Sequence, residues 1–422
     1  MPSNLELSLY VFMLATFVGL EVIRKVSPLL HTGAVLLAAL GLPAAAQKQA
    51  PPKDDGGPKL AAPHAILIEA KSGSVLYERD ADKLIYPASL AKLMTAEYVF
   101  HLLKIGKIKL SDEFIVSEHA WRTGGAPSHG STMFAAIYSK VPVDALLHGM
   151  IIQSANDACI VLAEAIAGNE TEFAKQLTER AREIGLEKSV FANSNGLPNP
   201  DEHVTTHELA MLARYIVLNY PKFYPLFAQP DFTWNKIHQM NRNPLLGSLE
   251  GADGLKTGYT KEAGYGLVGS AVQNGLRLIA VVNGEKSAKE RGIEAKKLLE
   301  WGFHNFEQRT IFAENETLGS AKVYGGATGY VPLKAEGSVF VMVPKDGGAR
   351  LFARIVYTGP VPAPVKEGLP IGKLKVWRGD NVVLETPLHA AASVGVGNLP
   401  QRAIDAVTEM VIALFRAGAE RL

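Results

Sequence analysis

The chain has 422 residues, more than one hydrophobic core usually organises, and its 47% apolar and 20% charged residues are ordinary for folded domains, which excludes wholesale disorder. Basic residues number 43 and acidic residues 42, so the formal net charge of +1 provides no global field to draw in nucleic acid or an anionic surface. Cys159 is the only cysteine, which excludes an intramolecular disulfide and a four-cysteine metal site; set among apolar neighbours, it reads as a packed core residue.

Residues 1–47 form an apolar N-terminal region. Leu7 to Leu20 is shorter than the ~20 residues that span a bilayer. Gly33 to Ala46 has the length of a signal-peptide hydrophobic region, follows Arg24 and Lys25, and ends in Ala44-Ala45-Ala46, a small-x-small cleavage pattern. The pattern predicts export to the periplasm, and an uncleaved membrane anchor is a competing reading of the longer stretch that precedes it. Residues 48–61 (QKQAPPKDDGGPK begins at Gln47) are rich in proline, glycine and charge and read as a flexible leader.

A first folded unit is expected over 62–306. AILIEAKSGSVLYERD (65–80) reads as a β-hairpin around Lys71-Ser72-Gly73-Ser74. Pro87 then precedes a helix over 89–104, where Leu90, Leu93, Met94, Val99 and Leu103 recur at helical spacing. Helical patterns follow at 142–167, 170–184 and 205–219. YGLVGSAVQNGLRLIAVVNGE (265–285) reads as two strands joined at Asn274-Gly275, and 288–306 returns to helix. Strands, a run of helices, then strands that must pair with the first hairpin predict an α+β fold, with helices on a mainly antiparallel sheet. Short β-rich runs broken by Gly and Pro predict a small all-β domain over 307–398. The stretch 400–422 reads as an amphipathic helix with Ile404, Val407, Val411, Leu414 and Phe415 on one stripe, which can lie on a membrane or pack on the β domain.

Three short motifs carry the chemistry. Ser89-Leu90-Ala91-Lys92 sets a hydroxyl and an amine one helical turn apart, on one face. Serine is a poor nucleophile without an adjacent base, and a lysine supplies one when burial or a nearby cation lowers its pKa. Ser154-Ala155-Asn156 adds a second hydroxyl and an amide, and Lys256-Thr257-Gly258 adds another amine and hydroxyl on an expected strand. Each motif alone is weak: a lone Ser-x-x-Lys is matched by an N-capping serine followed by a solvated lysine. The ordered trio is specific, and it is the signature of class A β-lactamases and penicillin-binding proteins.

The surroundings of these motifs, YPASLAKLMTAEYVF, GMIIQSANDACIVLAEAIAG, MNRNPLLGSLEGADGLKTGYTKEAGYGLVGSA and AKKLLEWGF, resemble the low-molecular-mass D-alanyl-D-alanine carboxypeptidases. The resemblance is close over about 62–306 and looser through the β domain and terminal helix. It implies that Ser89 attacks the penultimate D-alanine carbonyl of a peptidoglycan stem peptide, that Lys92 takes the serine proton, and that Ser154 and Lys256 pass a proton to the departing D-alanine. It further implies that Asn156 holds the substrate amide and that the backbone N–H groups of Ser89 and Tyr259 form the oxyanion hole. Thr257, Gly258 and Arg242 line the substrate site, with Thr257 and Arg242 on the terminal carboxylate. β-Lactams are implied as covalent ligands, and no metal or cofactor is called for. Tyr259 departs from the family, which often has histidine directly after the glycine.

Two neighbouring features receive plainer readings. His207-Glu208 lacks the second histidine of a zinc motif, with Met211 in its place, and reads as a helix start after Thr205-Thr206. Arg291, near Lys286 and Lys289, reads as a solvated cation. Alternatives to the carboxypeptidase are a β-lactamase or D,D-endopeptidase of the same fold, and a non-catalytic cell-wall binding protein.

Overall fold

The structure, a computed structural model, describes residues 57–347, 351–378 and 381–419. The signal-peptide and leader expectations over 1–56 lie outside the described residues.

The first part of the chain runs β1 (His64–Glu69), β2 (Val75–Arg79), α1 (Lys92–Lys104), β3 (Glu113–Ile115), α2 (Glu118–Thr123), β4 (Lys140–Pro142), α3 (Val143–His148), α4 (Asn156–Ala167), α5 (Glu170–Glu183), α6 (Thr206–Asn219), β5 (Asp231–Trp234), β6 (Ile237–Met240), β7 (Ala252–Thr260), β8 (Gly264–Gln273), β9 (Leu276–Glu285) and α7 (Ala288–Asn305). Five strands form an antiparallel sheet in the order β2-β1-β9-β8-β7. The β8–β9 hairpin turns at Asn274 and Gly275, both at positive φ, as the Asn-Gly pair predicts.

Alternation along β9 explains the layering. Ile279 and Val281 face a core shared with α1, α4 and α6, whereas Leu278, Ala280 and Val282 face a second core under α7. The sheet is thus buried on both faces by helices, which is the α+β architecture expected from the order of elements.

The expectation of one helical run over 142–167 is corrected. α3 ends at His148, one turn of wider π geometry covers Gly149–Gln153, and Ser154 takes φ +64° before α4 begins. The cause is tertiary packing: an added Cβ on Gly149 would sit 2.7 Å from Met133 Sδ, and Asp157 on the next turn is committed to the 132–135 segment. The small hairpins β3–β4 and β5–β6 also went unforeseen.

The second part comprises β10 (Phe306–Phe312), β11 (Gly319–Tyr324), β12 (Tyr330–Lys334), β13 (Val339–Pro344), β14 (Leu351–Tyr357), β15 (Val361–Pro362), β16 (Pro370–Arg378) and β17 (Asn381–Ala390). β10 pairs with β13, and the others form a six-stranded sheet in the order β14-β16-β17-β12-β11-β15 around their own apolar core. α8 (Leu399–Ala419) follows. Its Asp405 accepts the Gly325 N–H at 2.8 Å and Glu409 pairs with Lys322 at 2.7 Å, while Leu399, Ile404, Val407 and Met410 are exposed. The side chains of Val411, Leu414 and Phe415 lie outside the described residues. Among the described residues no helix is long and apolar enough to cross a membrane.

Candidate active site

Pro87 leads into a tight turn over Ala88–Ala91, and α1 starts at Lys92. Ser89 therefore sits on the turn and Lys92 on the first helical position, with Lys92 Nζ 2.9 Å from Ser89 Oγ. The same amine donates to the Asn195 carbonyl at 2.5 Å. Lys92 is buried, and burial pushes its ammonium down to about 8. An amine that loses its proton this readily, bonded to a hydroxyl, is the pair that nucleophilic serine chemistry requires.

The left-handed backbone at Ser154 is a strained conformation for a residue with a side chain, and it turns the hydroxyl out of the helical run. Ser154 is buried and its Oγ has no hydrogen-bond partner. Buried hydroxyls are rarely left so, and α1 packs on the turn that precedes this one. Asn156 is also buried, and its N–H donates to the Ser131 carbonyl at 2.7 Å. Asp157 holds this segment by accepting the Thr132 hydroxyl at 2.6 Å and the N–H groups of Met133 and Ala135 at 3.0 and 3.1 Å.

Lys256, Thr257 and Gly258 lie on β7, the edge strand. Lys256 and Thr257 are buried, and Lys256 Nζ donates to the Thr257 carbonyl at 3.0 Å. Burial first, then the positive charges of Lys92, Arg242 and Arg291, hold Lys256 well below the ordinary lysine range, so these four cations share one electrostatic neighbourhood. Gly258 explains how the strand reaches the nucleophile: an added Cβ would lie 3.1 Å from both Leu90 N and Leu90 Cγ and 3.2 Å from the Pro87 carbonyl oxygen. Only a residue without a side chain lets the strand edge close on the Ser89 turn unhindered.

Arg242 donates to Ser131 Oγ at 2.7 Å, and its Nε lies 3.4 Å from Gln153 Oε1. Tyr259 is half exposed, its ring stacked on Tyr265 with centroids 4.0 Å apart. Arg291 corrects the sequence reading. It is not a solvated cation but sits in the first turns of α7, donates to the Gly258 carbonyl at 3.1 Å and lies over the Tyr265 ring.

The sequence model described as D-alanyl-D-alanine carboxypeptidase matches residues 47–287, and that of the penicillin-binding protein 5 C-terminal domain matches 306–395. The chain belongs to the D-alanyl-D-alanine carboxypeptidase family. It is 38% identical to D-alanyl-D-alanine carboxypeptidase DacC of Escherichia coli over 345 residues, covering 81% of this chain and 86% of that one. It is 34% identical to DacA of Haemophilus influenzae over 361 residues, covering 85% and 91%. Among solved structures, penicillin-binding protein 5 from Haemophilus influenzae superposes with a TM-score of 0.71 at 35% identity, covering 80% of this chain and 98% of that chain. A penicillin-binding protein of Listeria monocytogenes in an ampicillin-bound form superposes with a TM-score of 0.51 at 30% identity, covering 58% and 98%.

Within this carboxypeptidase fold, the plainer readings of two other residues stand on their own contacts. His207 has Asp82 at 3.5 Å, Thr205 caps α6 by accepting the Glu208 N–H at 3.0 Å, and no group of three metal-ligating side chains occurs among the described residues. Cys159 is fully buried, and burial pushes its thiol up to about 12.

Sequence reading missed the loop 193–197, which supplies the Asn195 carbonyl to Lys92. A signal existed: Asn193-Ser194-Asn195-Gly196 is a cluster of turn-forming residues between two patterned segments. Gly196 has φ +78°, and a Cβ there would meet the Ala88 carbonyl oxygen at 1.8 Å. This loop therefore presses directly on the turn that bears Ser89.

Proposed function

We infer that the chain is a serine-type D-alanyl-D-alanine carboxypeptidase that removes the terminal D-alanine of peptidoglycan stem pentapeptides through an acyl-enzyme on Ser89, and that β-lactams acylate the same serine. The observation that carries this reading is the 2.9 Å contact between Ser89 Oγ and a buried Lys92 amine whose proton is weakly held.

Lys92 as free base takes the Ser89 proton while Oγ bonds to the carbonyl carbon of the penultimate D-alanine. The carbonyl oxygen becomes an oxyanion, held by the backbone N–H groups of Ser89 and Tyr259. Collapse breaks the C–N bond. The serine proton, held on Lys92 after the attack, passes through Ser154 and Lys256 to the leaving amine, so Lys92 becomes free base again. Burial and the neighbouring cations keep Lys256 from retaining that proton. Lys92 then takes a proton from the water that adds to the ester carbonyl and returns it to Ser89 Oγ as the acyl C–O bond breaks. Arg242 and Thr257 hold the terminal carboxylate, a charge-assisted contact that selects a free C-terminus over an internal peptide bond. Asn156 holds the substrate amide, and Gly258 lets the strand edge lie beside the acyl chain.

The N-terminal pattern of Gly33 to Ala46 supports export to the periplasm. The exposed apolar residues of α8, on the helix face away from Asp405 and Glu409, favour docking of that helix on the outer face of the inner membrane.

Treatment with a fluorescent penicillin followed by peptide mapping tests the inference. Label on the peptide containing Ser89 is expected; label elsewhere, or none, contradicts it. A β-lactamase is the second reading, and fast nitrocefin turnover without release of D-alanine from a pentapeptide would favour it.

A further inference from the structure

Glu202 belongs to none of the three motifs, yet it is a fully buried carboxyl whose charge is felt by Lys92. It lines a cavity with Ala88, Gly196 and Thr260, its Oε1 has no hydrogen-bond partner, and its Oε2 accepts Asn193 Nδ2 at 3.4 Å. The Asn193 amide is fully used. Its Nδ2 also donates to the Leu197 carbonyl at 2.9 Å, and its Oδ1 accepts the N–H groups of Asn195 at 3.1 Å and Gly196 at 2.6 Å. One side chain thus closes the loop 193–197 from within.

The two ends of that loop act on the nucleophilic pair. Asn195 presents its carbonyl to Lys92 Nζ, and Gly196 abuts the Ala88 carbonyl next to Ser89. Ser194 fixes the loop's outer side: its carbonyl accepts the Thr95 hydroxyl at 2.7 Å and its own hydroxyl donates to Glu170 at 2.5 Å.

We propose that Asn193 and Glu202 are positioning residues of the acylation step: they shape the 193–197 loop so that the Asn195 carbonyl engages one N–H of Lys92 and the amine lone pair is aimed at Ser89. A neutral amine has two N–H groups and one lone pair. Pinning an N–H to a fixed carbonyl removes the rotation that would let the lone pair turn away. Charge supports the geometry. Glu202 is faced by Lys92, by the Ala192 N–H and by the Asn193 amide, and burial pushes its carboxyl up to about 8. Lys92 is faced by Cys159, Arg242, Glu202 and Glu170, and by Lys256, whose own proton it helps to expel. Glu202 is mostly neutral below about 8, so its charge acts near that pH, where Lys92 itself titrates: there the ionised fraction of Glu202 raises the proton affinity of Lys92 and holds back acylation.

The proposal rests on the acyl-enzyme reading, and the test separates the two. The second-order rate of acylation by a chromogenic β-lactam is measured from pH 5.5 to 10 for the wild type, Asn193→Ala, Glu202→Gln and Glu202→Ala, with thermal melts to show that each is folded. Asn193→Ala is expected to lose roughly 10- to 100-fold in rate at all pH values, as a misaimed base does. Glu202→Gln removes the ionisable neighbour, so its acid limb is expected at lower pH than that of the wild type; Glu202→Ala is expected to show the same shift with a lowered plateau. A wild type that is not acylated overturns the acyl-enzyme reading itself. A folded Asn193→Ala at the wild-type rate, or a Glu202→Gln limb that does not move, overturns this proposal, and the Glu202→Gln limb decides alone if Asn193→Ala does not fold.

Discussion

Gly258 of the edge strand and Leu90 of the nucleophile turn approach so closely that a single added Cβ would lie 3.1 Å from both the backbone nitrogen and Cγ of Leu90. The spacing between the two elements that flank Ser89 is thus set by a missing side chain. Gly258→Ala requires neighbours to give by a few tenths of an ångström; Gly258→Val requires more. Acylation by penicillin is expected to fall in the order glycine, alanine, valine, by roughly tenfold or more for valine. Stopped-flow acylation rates check the order, and an unimpaired valine variant contradicts the close-approach account.

Gly196 makes a second close contact with the same turn. It combines φ +78° with a 1.8 Å clash of any Cβ against the Ala88 carbonyl oxygen. Gly196→Ala is expected to destabilise the fold by more than about 1 kcal/mol, because the substitution is incompatible with the native backbone. Denaturant unfolding monitored by circular dichroism measures it.

Burial pushes Lys92 down to about 8, and the free base is the reactive form. Below that pH the amine is protonated in the resting enzyme and cannot accept the serine proton. Acylation is therefore expected to rise with pH and to level off above about 8; a rate that falls from pH 6 to 8 contradicts the assignment of Lys92 as base.

A buried network ties α1, the helix of Lys92, to α5. Glu97, wholly buried, accepts Arg180 Nε at 3.1 Å, Arg180 Nη2 at 2.9 Å and the Tyr220 hydroxyl at 2.8 Å. Arg180→Ala leaves that carboxylate unpaired and is expected to cost about 3–5 kcal/mol of stability. Equilibrium unfolding is the check, and a loss below about 1 kcal/mol, the range of an exposed pair, contradicts the reading.

Truncation after Pro400 removes α8 and its exposed Ile404, Val407 and Met410. Membrane fractionation of cells expressing the full and truncated chains is expected to move the truncated protein to the soluble periplasmic fraction. Unchanged partitioning removes the membrane role of α8.

Much of the α+β fold was legible because its signals are local. The β8–β9 hairpin announces itself by two β-rich runs around Asn274-Gly275, and α5, α6 and α7 by their helical patterns; the structure adds that Asn169, Thr205 and Ser287 cap them. The break at 149–154 was not legible, since Met150, Ile151 and Ile152 continue a helical apolar pattern, and it coincides with tertiary contacts of Gly149 with Met133 and of Asp157 with the 132–135 segment. At the site, the three motifs were visible as a set. Arg291 and the Asn195 carbonyl were not, because both act through backbone oxygens of distant segments, and a backbone oxygen leaves no mark in a sequence.

The most direct test of the central claim is release of D-alanine from a stem pentapeptide ending in D-Ala-D-Ala, assayed for the wild type and for Ser89→Ala. The wild type should release one D-alanine per peptide and Ser89→Ala should release none above background. Release that survives in Ser89→Ala, or a folded wild type that releases no D-alanine, contradicts the account.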